Sequence, residues 1–384
     1  MIPFNKPFIS GKEIQYIMEA FEMRKLSGNG IFTKKCQNLL STKYGFEKTL
    51  LTTSCTDALE MCAMLAKIEP GDEVIIPSYT FVSTALAFVR EGAKIIFADS
   101  YSDNPNIDPS KIEALVTERT RAIIPVHYAG VACDMDAIMD IASRHNLLVI
   151  EDAAQAIDSY YKGRPLGTIG HLAAFSFHET KNIIAGEGGL LVINDPQFVR
   201  RAEILWEKGT NRAEFFRGEI NKYGWVDTGS SFLPSDIVSA FLYAQLERIE
   251  EIQAKRKMLW NEYWKRLYPM AEKGYFKLLD IPDYATCNAH MFYIICHSLE
   301  IRSALIAYLK EKGILTVFHY LSLHKSDYYK TKHDGRILIN SDNFTDLLLR
   351  LPLYYELTIE QLNFIAQEID CFFKSYNYLI NKTK

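Results

Sequence analysis

The sequence predicts an α/β protein, with a mostly parallel central sheet in a large domain and a smaller α+β unit at the C-terminal end. Between about residue 48 and residue 195, short runs rich in Val and Ile alternate with helical patterns, the rhythm of βαβ units. Most of these runs deliver a polar residue at their C-terminal end, where open α/β sheets bind ligands. With 384 residues, the chain is also longer than one core usually organises.

The elements follow in order. Thr52-Thr53-Ser54-Cys55-Thr56 opens a helix whose Leu59, Cys62, Leu65 and Ala66 share one face. Strands are expected at Val74–Ile76, Lys94–Phe97, Ala122–Val126, Leu147–Ile150, Leu172–Phe177 and Leu190–Ile193. A helix is expected over Met135–His145, where Ile138, Ile141 and Ala142 recur at helical spacing. A long helical pattern begins near Ser235 and runs towards Trp264, and the domain change is placed inside it, giving units of 1–245 and 246–384. The last four residues, from Asn381, read as a frayed tail.

Composition narrows the function classes. Hydrophobic residues make up 48% and charged residues 23%, the balance of a soluble globular protein. The net charge is −4, and the basic residues from Arg200 to Lys222 are interleaved with Glu203, Glu207, Glu214 and Glu219, so nucleic acid is not expected as a partner. No apolar run approaches the roughly 18 residues that span a bilayer, and the first residues lack the pattern of a signal peptide; a cytoplasmic location without membrane insertion is expected. The seven cysteines include no C-x-x-C pair and read as reduced thiols, with Cys62 a small buried hydrophobe. No metal site is expected.

Three clusters carry chemistry. Glu151-Asp152-Ala153-Ala154-Gln155 follows an apolar strand, where a carboxylate can pair with a protonated pyridine nitrogen or merely cap the next helix. Ser176-Phe177-His178-Glu179-Thr180-Lys181 precedes Gly186-Glu187-Gly188-Gly189; a lysine there can form a Schiff base if burial and nearby positive charge deprotonate it, and Ser176 can bind phosphate. Taken singly, Lys181 also reads as a solvated lysine and the glycines as a tight turn. Ser54, Cys55 and Thr56 open a helix and could cradle a phosphate on its free N–H groups, or simply cap it.

Their joint occurrence, in this order, resembles the DegT-type sugar-nucleotide aminotransferases, a branch of the fold-type I pyridoxal-phosphate enzymes. The resemblance runs end to end. It rests on Gly71-Asp-Glu-Val-Ile-Ile-Pro-Ser-Tyr-Thr-Phe, Val149-Ile-Glu-Asp-Ala-Ala-Gln, Ser176-Phe-His-Glu-Thr-Lys-Asn, Gly186-Glu-Gly-Gly and Phe318-His-Tyr-Leu-Ser-Leu-His. It implies pyridoxal 5′-phosphate as cofactor and Lys181 as the lysine that carries it. It further implies that Asp152 pairs with the ring nitrogen, Gln155 faces the ring hydroxyl, Phe81 stacks on the ring, and Ser176 joins Ser54, Cys55 and Thr56 at the phosphate. One departure stands out: where the family usually has Gly-x-Asn-x-Arg, in a segment lent to the partner subunit's cofactor phosphate, this chain has Gly229-Ser-Ser-Phe-Leu-Pro, with Ser231 in place of Asn. The implied assembly is a homodimer with shared active sites.

Gly229-Ser-Ser, Gly209-Thr-Asn-Arg and Phe215-Phe-Arg-Gly most resemble the members that make dTDP-4-amino-4,6-dideoxygalactose for enterobacterial common antigen, a lipopolysaccharide-related surface polysaccharide. The implied reaction moves the amino group of L-glutamate to C4 of dTDP-4-keto-6-deoxy-D-glucose and leaves 2-oxoglutarate. A gluco product, a C3 amino sugar, a uridine nucleotide or a non-catalytic scaffold are the alternatives. Arg212, Arg217 and Lys222 are the basic residues nearest to hand for a diphosphate, and His319, Tyr320 and His324 resemble substrate-pocket residues.

Overall fold

The computed structural model describes residues 1–382, with side chains through 376. Its strands, in chain order, begin with β1 (Lys48–Thr52), β2 (Glu73–Pro77), β3 (Lys94–Ala98), β4 (Thr120–Ile123) and β5 (Leu148–Asp152). A small hairpin of β6 (Tyr160–Tyr161) and β7 (Arg164–Pro165) comes next, then β8 (Leu172–Ser176) and β9 (Gly189–Ile193). Seven of them form one sheet in the order β1-β9-β8-β5-β4-β2-β3. The pairs β2–β3, β2–β4, β4–β5 and β5–β8 are parallel, whereas β9 runs antiparallel to both β1 and β8. The sheet is therefore mostly parallel, as expected.

The Val- and Ile-rich runs are continuous because helices cover both faces of the sheet. Along β2, Ile75 enters the core on one face while Val74 and Ile76 enter the core on the other. Val149 and Ile150 of β5 divide the same way, as the two-residue period of a strand requires. The helices Cys55–Leu65 and Met135–His145 lie where the spacing places them.

A third core surrounds an antiparallel sheet of β10 (Lys277–Leu278), β11 (Phe292–Ile295) and β12 (Leu348–Leu351). Helices Leu299–Glu311 and Ile359–Lys382 pack on it.

Three expectations change in detail. The strand expected to reach Val126 ends at Ile123, because Pro125 has no N–H for the ladder; beyond it, Val126 keeps an isolated parallel bridge to Asp152. The helical pattern from Ser235 is two helices, Asp236–Leu246 and Ile249–Glu272. The break at Glu247 and Arg248 contains neither Gly nor Pro, so the apolar spacing reads straight through it. Ile252 packs into a core of the large sheet, whereas Leu259, Trp260 and Tyr263 belong to the third core. Of the expected tail, residues 381 and 382 close the last helix and residues 383 and 384 lie outside the described residues. Among the described residues, no helix is long and apolar enough to cross a membrane.

Candidate active site

The C-terminal ends of the parallel strands open into a cavity of about 540 Å³. Ser54, Cys55, Thr56, Phe81, Asp152, Gln155, Ser176, Lys181, His319 and Tyr320 all line it. Segments separated by more than a hundred residues thus meet in one place.

One end of the cavity is a helix start. Ser54 caps the helix Cys55–Leu65 by accepting the Asp57 N–H at 3.1 Å, and the first-turn N–H groups of the helix have no intrahelical acceptor. The Thr56 hydroxyl meets that of Ser83 at 2.7 Å. Strand register brings the third hydroxyl in: Thr52 of β1, Gly189 of β9 and Ser176 of β8 stand side by side in one row. A Cβ at Gly189 would lie 2.3 Å from the Ser54 carbonyl oxygen and 2.5 Å from the Cys55 nitrogen, so only glycine lets the helix start sit this close to the sheet. Together, N–H groups, helix dipole and hydroxyls fit a phosphate.

Asp152 ends β5. Its carboxylate accepts the Thr84 hydroxyl at 2.7 Å and the Ala154 N–H at 3.1 Å. Burial pushes its acid strength down, raising the pKa against those hydrogen bonds and the charge of Lys181. A cationic ring nitrogen in the cavity would offset that penalty. Its neighbour Glu151 points to the opposite face, where it accepts from His127 Nε2 at 3.0 Å and from the N–H groups of Gly167, Ile169 and Gly170 at 2.6–2.8 Å. Burial raises its pKa too, but the His127 interaction and the backbone N–H groups outweigh it and leave the carboxyl below the ordinary range.

Lys181 follows β8 in a closed loop, in which its N–H bonds the His178 carbonyl at 2.9 Å and Glu179 N–H bonds Gly186 at 2.8 Å. Burial holds its amine below the usual lysine pKa, and the charge of Arg350 adds to this, while Cys55 and Asp152 oppose it. A readily deprotonated amine is a nucleophile.

The facing wall comes from the third core and the loops around it. Gln155 accepts the Ala129 N–H at 2.6 Å and donates to the Tyr320 hydroxyl at 3.0 Å. His319 stacks on Tyr320 with centroids 3.5 Å apart, and its Nδ1 meets the Tyr128 hydroxyl at 2.6 Å. Burial lowers the pKa of His319 and of His290, which meets Asn182 at 3.0 Å, so both imidazoles are neutral at pH 7. Phe81 projects at the cavity mouth, 6.1 Å from the Tyr320 ring.

The remaining expected site residues lie elsewhere in the chain. Arg212 and Arg217 are ion-paired, to Glu207 at 3.7 Å and to Glu203 and Glu219 at 2.8 and 2.7 Å. Lys222 and Ser231 are exposed. His324 is buried behind the wall, with its Nδ1 2.7 Å from the Ser78 hydroxyl. Conversely, Thr84, His290 and Arg350 line the cavity without having been expected. Only Arg350 carried a signal, as the lone charge in the apolar run from Leu347 to Leu353.

The model of the DegT/DnrJ/EryC1/StrS aminotransferase family matches residues 7–370. The chain belongs to this family. It is a sugar aminotransferase, a transferase of the EC 2.6.1 class that depends on pyridoxal phosphate. The spore coat polysaccharide biosynthesis protein SpsC of Bacillus subtilis (strain 168) is 31% identical over 380 residues, 96% of each chain. Among solved structures, the putative sugar aminotransferase Spr1654 from Streptococcus pneumoniae in its PMP form superimposes with a TM-score of 0.90 at 25% identity, over 98% of this chain and 100% of that one. DesV of S. venezuelae, solved with a ketimine intermediate, gives 0.87 at 27% identity over 97% and 98%. The family's aminotransferase fold and cofactor agree with the cavity: a buried carboxylate, a buried amine and a glycine-floored cradle are what such a cofactor needs.

Proposed function

We propose that the protein transfers the amino group of L-glutamate to C4 of dTDP-4-keto-6-deoxy-D-glucose, giving dTDP-4-amino-4,6-dideoxy-D-galactose and 2-oxoglutarate. The observation that carries the chemistry is the convergence of Asp152, Lys181 and the Ser54–Thr56 helix start on one cavity. The choice of sugar rests on the Gly209-Thr-Asn-Arg, Phe215-Phe-Arg-Gly and Gly229-Ser-Ser segments. A polysaccharide role for the relative SpsC agrees with it, and enterobacterial common antigen is the pathway proposed.

When bound, pyridoxal phosphate supplies an electron sink for the carbon that loses a proton. Ser54, Cys55, Thr56 and Ser176 would hold the phosphate, Asp152 the ring nitrogen's proton, Gln155 the ring hydroxyl and Phe81 the ring face. Lys181 would carry the cofactor and then, through Nζ, take a proton from the substrate carbon and return it on the other side of the transfer. His319 and Tyr320 would border the sugar, His324 would support that wall through Ser78, and Arg212, Arg217 and Lys222 would face the diphosphate.

The working unit in this reading is a cytoplasmic homodimer, each chain comprising units 1–245 and 246–384, with Ser231 completing the partner's phosphate site. Ile14, Met18 and Phe21, spaced along one helix face, are 72%, 53% and 46% exposed, an apolar stripe that a second copy would cover. Refolded heterodimers of Lys181→Ala and Ser231→Trp chains should regain up to half the activity; proven heterodimers without rescue would sink the shared site. The substrate is tested by incubating the protein with dTDP-4-keto-6-deoxyglucose and glutamate. A new amine at C4 with galacto proton couplings supports the proposal, whereas gluco couplings or a C3 amine would replace it with the corresponding alternative.

A further inference from the structure

His290, just before β11, is buried and held by groups that are themselves buried. Its N–H bonds Asn288 Oδ1 at 3.0 Å, and the Asn288 amide in turn donates to the carbonyls of Gln155 and Ile157 at 2.8 and 2.7 Å. The guanidinium of Arg256 donates to the carbonyls of Ala289 and His290 at 3.1 and 2.8 Å. Ala289 is left-handed, with φ 55°, a conformation that costs free energy in a residue with a Cβ and persists only where its surroundings impose it. A strained turn pinned by Arg256 and Asn288 thus aims one imidazole. The tautomer follows from the bonds to Asn182, whose Nδ2 donates to the Asn288 carbonyl and to Gln253 Oε1, both at 2.8 Å. Its Oδ1 therefore faces His290 Nδ1, at 3.0 Å, and Nδ1 carries the proton. Burial, and after it the charges of Lys181, Arg350 and Arg256, keep the ring from taking a second one. Nε2 presents a bare lone pair, bonded to no described residue, on a ring that lines the cavity.

We propose that Nε2 of His290 accepts a hydrogen bond from the sugar hydroxyl beside the reacting carbonyl, and so makes that hydroxyl a requirement of the second substrate. The inference rests on the reading under Proposed function and deepens it; for the keto-sugar named there, the hydroxyl is the one on C3. The surroundings choose the partner. An anion has no proton to offer the lone pair, and a cation would add to the positive charges of Lys181, Arg256 and Arg350. A neutral hydroxyl meets both conditions. Glutamate carries none at neutral pH, so the contact belongs to the keto-sugar's half of the cycle. Other acceptors at the cavity are already engaged, Gln155 by the Ala129 N–H and Asp152 by Thr84 and the Ala154 N–H, whereas Nε2 takes no protein donor. A site built to bond a hydroxyl rejects the analogue that lacks it, because the buried partner is then left unpaired.

Two substitutions separate the ring's nitrogens. His290→Asn keeps a donor for Asn182 in the place of Nδ1 and removes Nε2, whereas His290→Gln returns an amide oxygen towards the place of Nε2. With protein whose cofactor has been aminated in advance, His290→Asn should lower kcat/KM for dTDP-4-keto-6-deoxyglucose about 10- to 100-fold, and His290→Gln should recover part of the loss. With the 3-deoxy analogue of that sugar, both variants should stay within about threefold of the unaltered protein, as should their first half-reaction with glutamate. Titration calorimetry of the two sugar nucleotides into the cofactor-free proteins should show the same dependence on the hydroxyl as affinity, without turnover. Equal loss of His290→Asn on both sugars would make His290 a support of the wall alone. Loss in the glutamate half-reaction as well would assign it to Lys181, and no loss with the hydroxylated sugar would leave Nε2 without a ligand; each of these outcomes overturns the proposal. Failure of the underlying reading shows elsewhere, as an unaltered protein that glutamate does not aminate or that forms its amine at a carbon other than C4.

Discussion

The cavity has two walls of different construction. The sheet wall, made by Ser54 to Thr56, Asp152, Ser176 and Lys181, is built from strand ends and the loops that leave them, and backbone hydrogen bonds and strand register fix every member. The facing wall, made by His290, His319, Tyr320 and Arg350, is assembled from segments of the third core, and His319, Tyr320 and His290 are held by side-chain contacts with Tyr128, Gln155 and Asn182 in turn. The difference teaches where chemistry and choice reside. A wall fixed by the backbone suits a cofactor that never changes, and a wall of side chains suits substrates that alternate.

Substitutions in the two walls should therefore fail in different ways. Lys181→Ala carries the largest expected effect, a loss of about 10⁴-fold or more in transamination. The fold should stay intact, as read by circular dichroism, because the amine fills no core volume. Asp152→Asn comes next: cofactor should still bind, but the rate should drop about 10²- to 10³-fold, since an amide cannot stabilise a cationic ring nitrogen. Unchanged turnover would reduce Asp152 to an acceptor for Thr84. On the facing wall, Tyr320→Phe leaves the Gln155 amide without its partner and should cost only about tenfold, with the cofactor spectrum unaltered. If that spectrum shifts as strongly as in Asp152→Asn, the division between the walls fails.

The smallest effect concerns the support behind the sheet wall. The Glu151 carboxyl is held below its ordinary 4.5 in the folded state. The unfolded chain therefore takes up its proton first on acidification, so this contribution is whole above about pH 4.5 and lost as pH falls through the folded value. Denaturant unfolding at stepped pH should show this acid-side loss, and Glu151→Gln, already less stable at neutral pH, should show a shallower one.

The same division explains what could be read in the sequence. The sheet wall was legible because each of its parts is a short contiguous pattern: apolar strand, then Asp152; strand, then Ser176 and Lys181; hydroxyls, then a helical face. The row joining Thr52, Gly189 and Ser176 was not, because register between β1, β9 and β8 leaves no mark in any one segment. The facing wall was read only where the resemblance supplied His319 and Tyr320. His290 and Arg350 reach the cavity through the packing of the antiparallel sheet, which the spacing of apolar residues does not encode. The glutamates interleaved with Arg212 and Arg217 were visible in the sequence, but which of them each arginine pairs with is set by the fold: Glu207 for Arg212, and Glu203 together with the nearby Glu219 for Arg217.

The most direct measurement is to reduce the purified, cofactor-loaded protein with borohydride, digest it and map the modified peptide by mass spectrometry. The adduct should lie on Lys181 and on no other lysine. An adduct on a different lysine, or none on a protein that retains full activity, would contradict the assignment of the sheet wall as the cofactor's site.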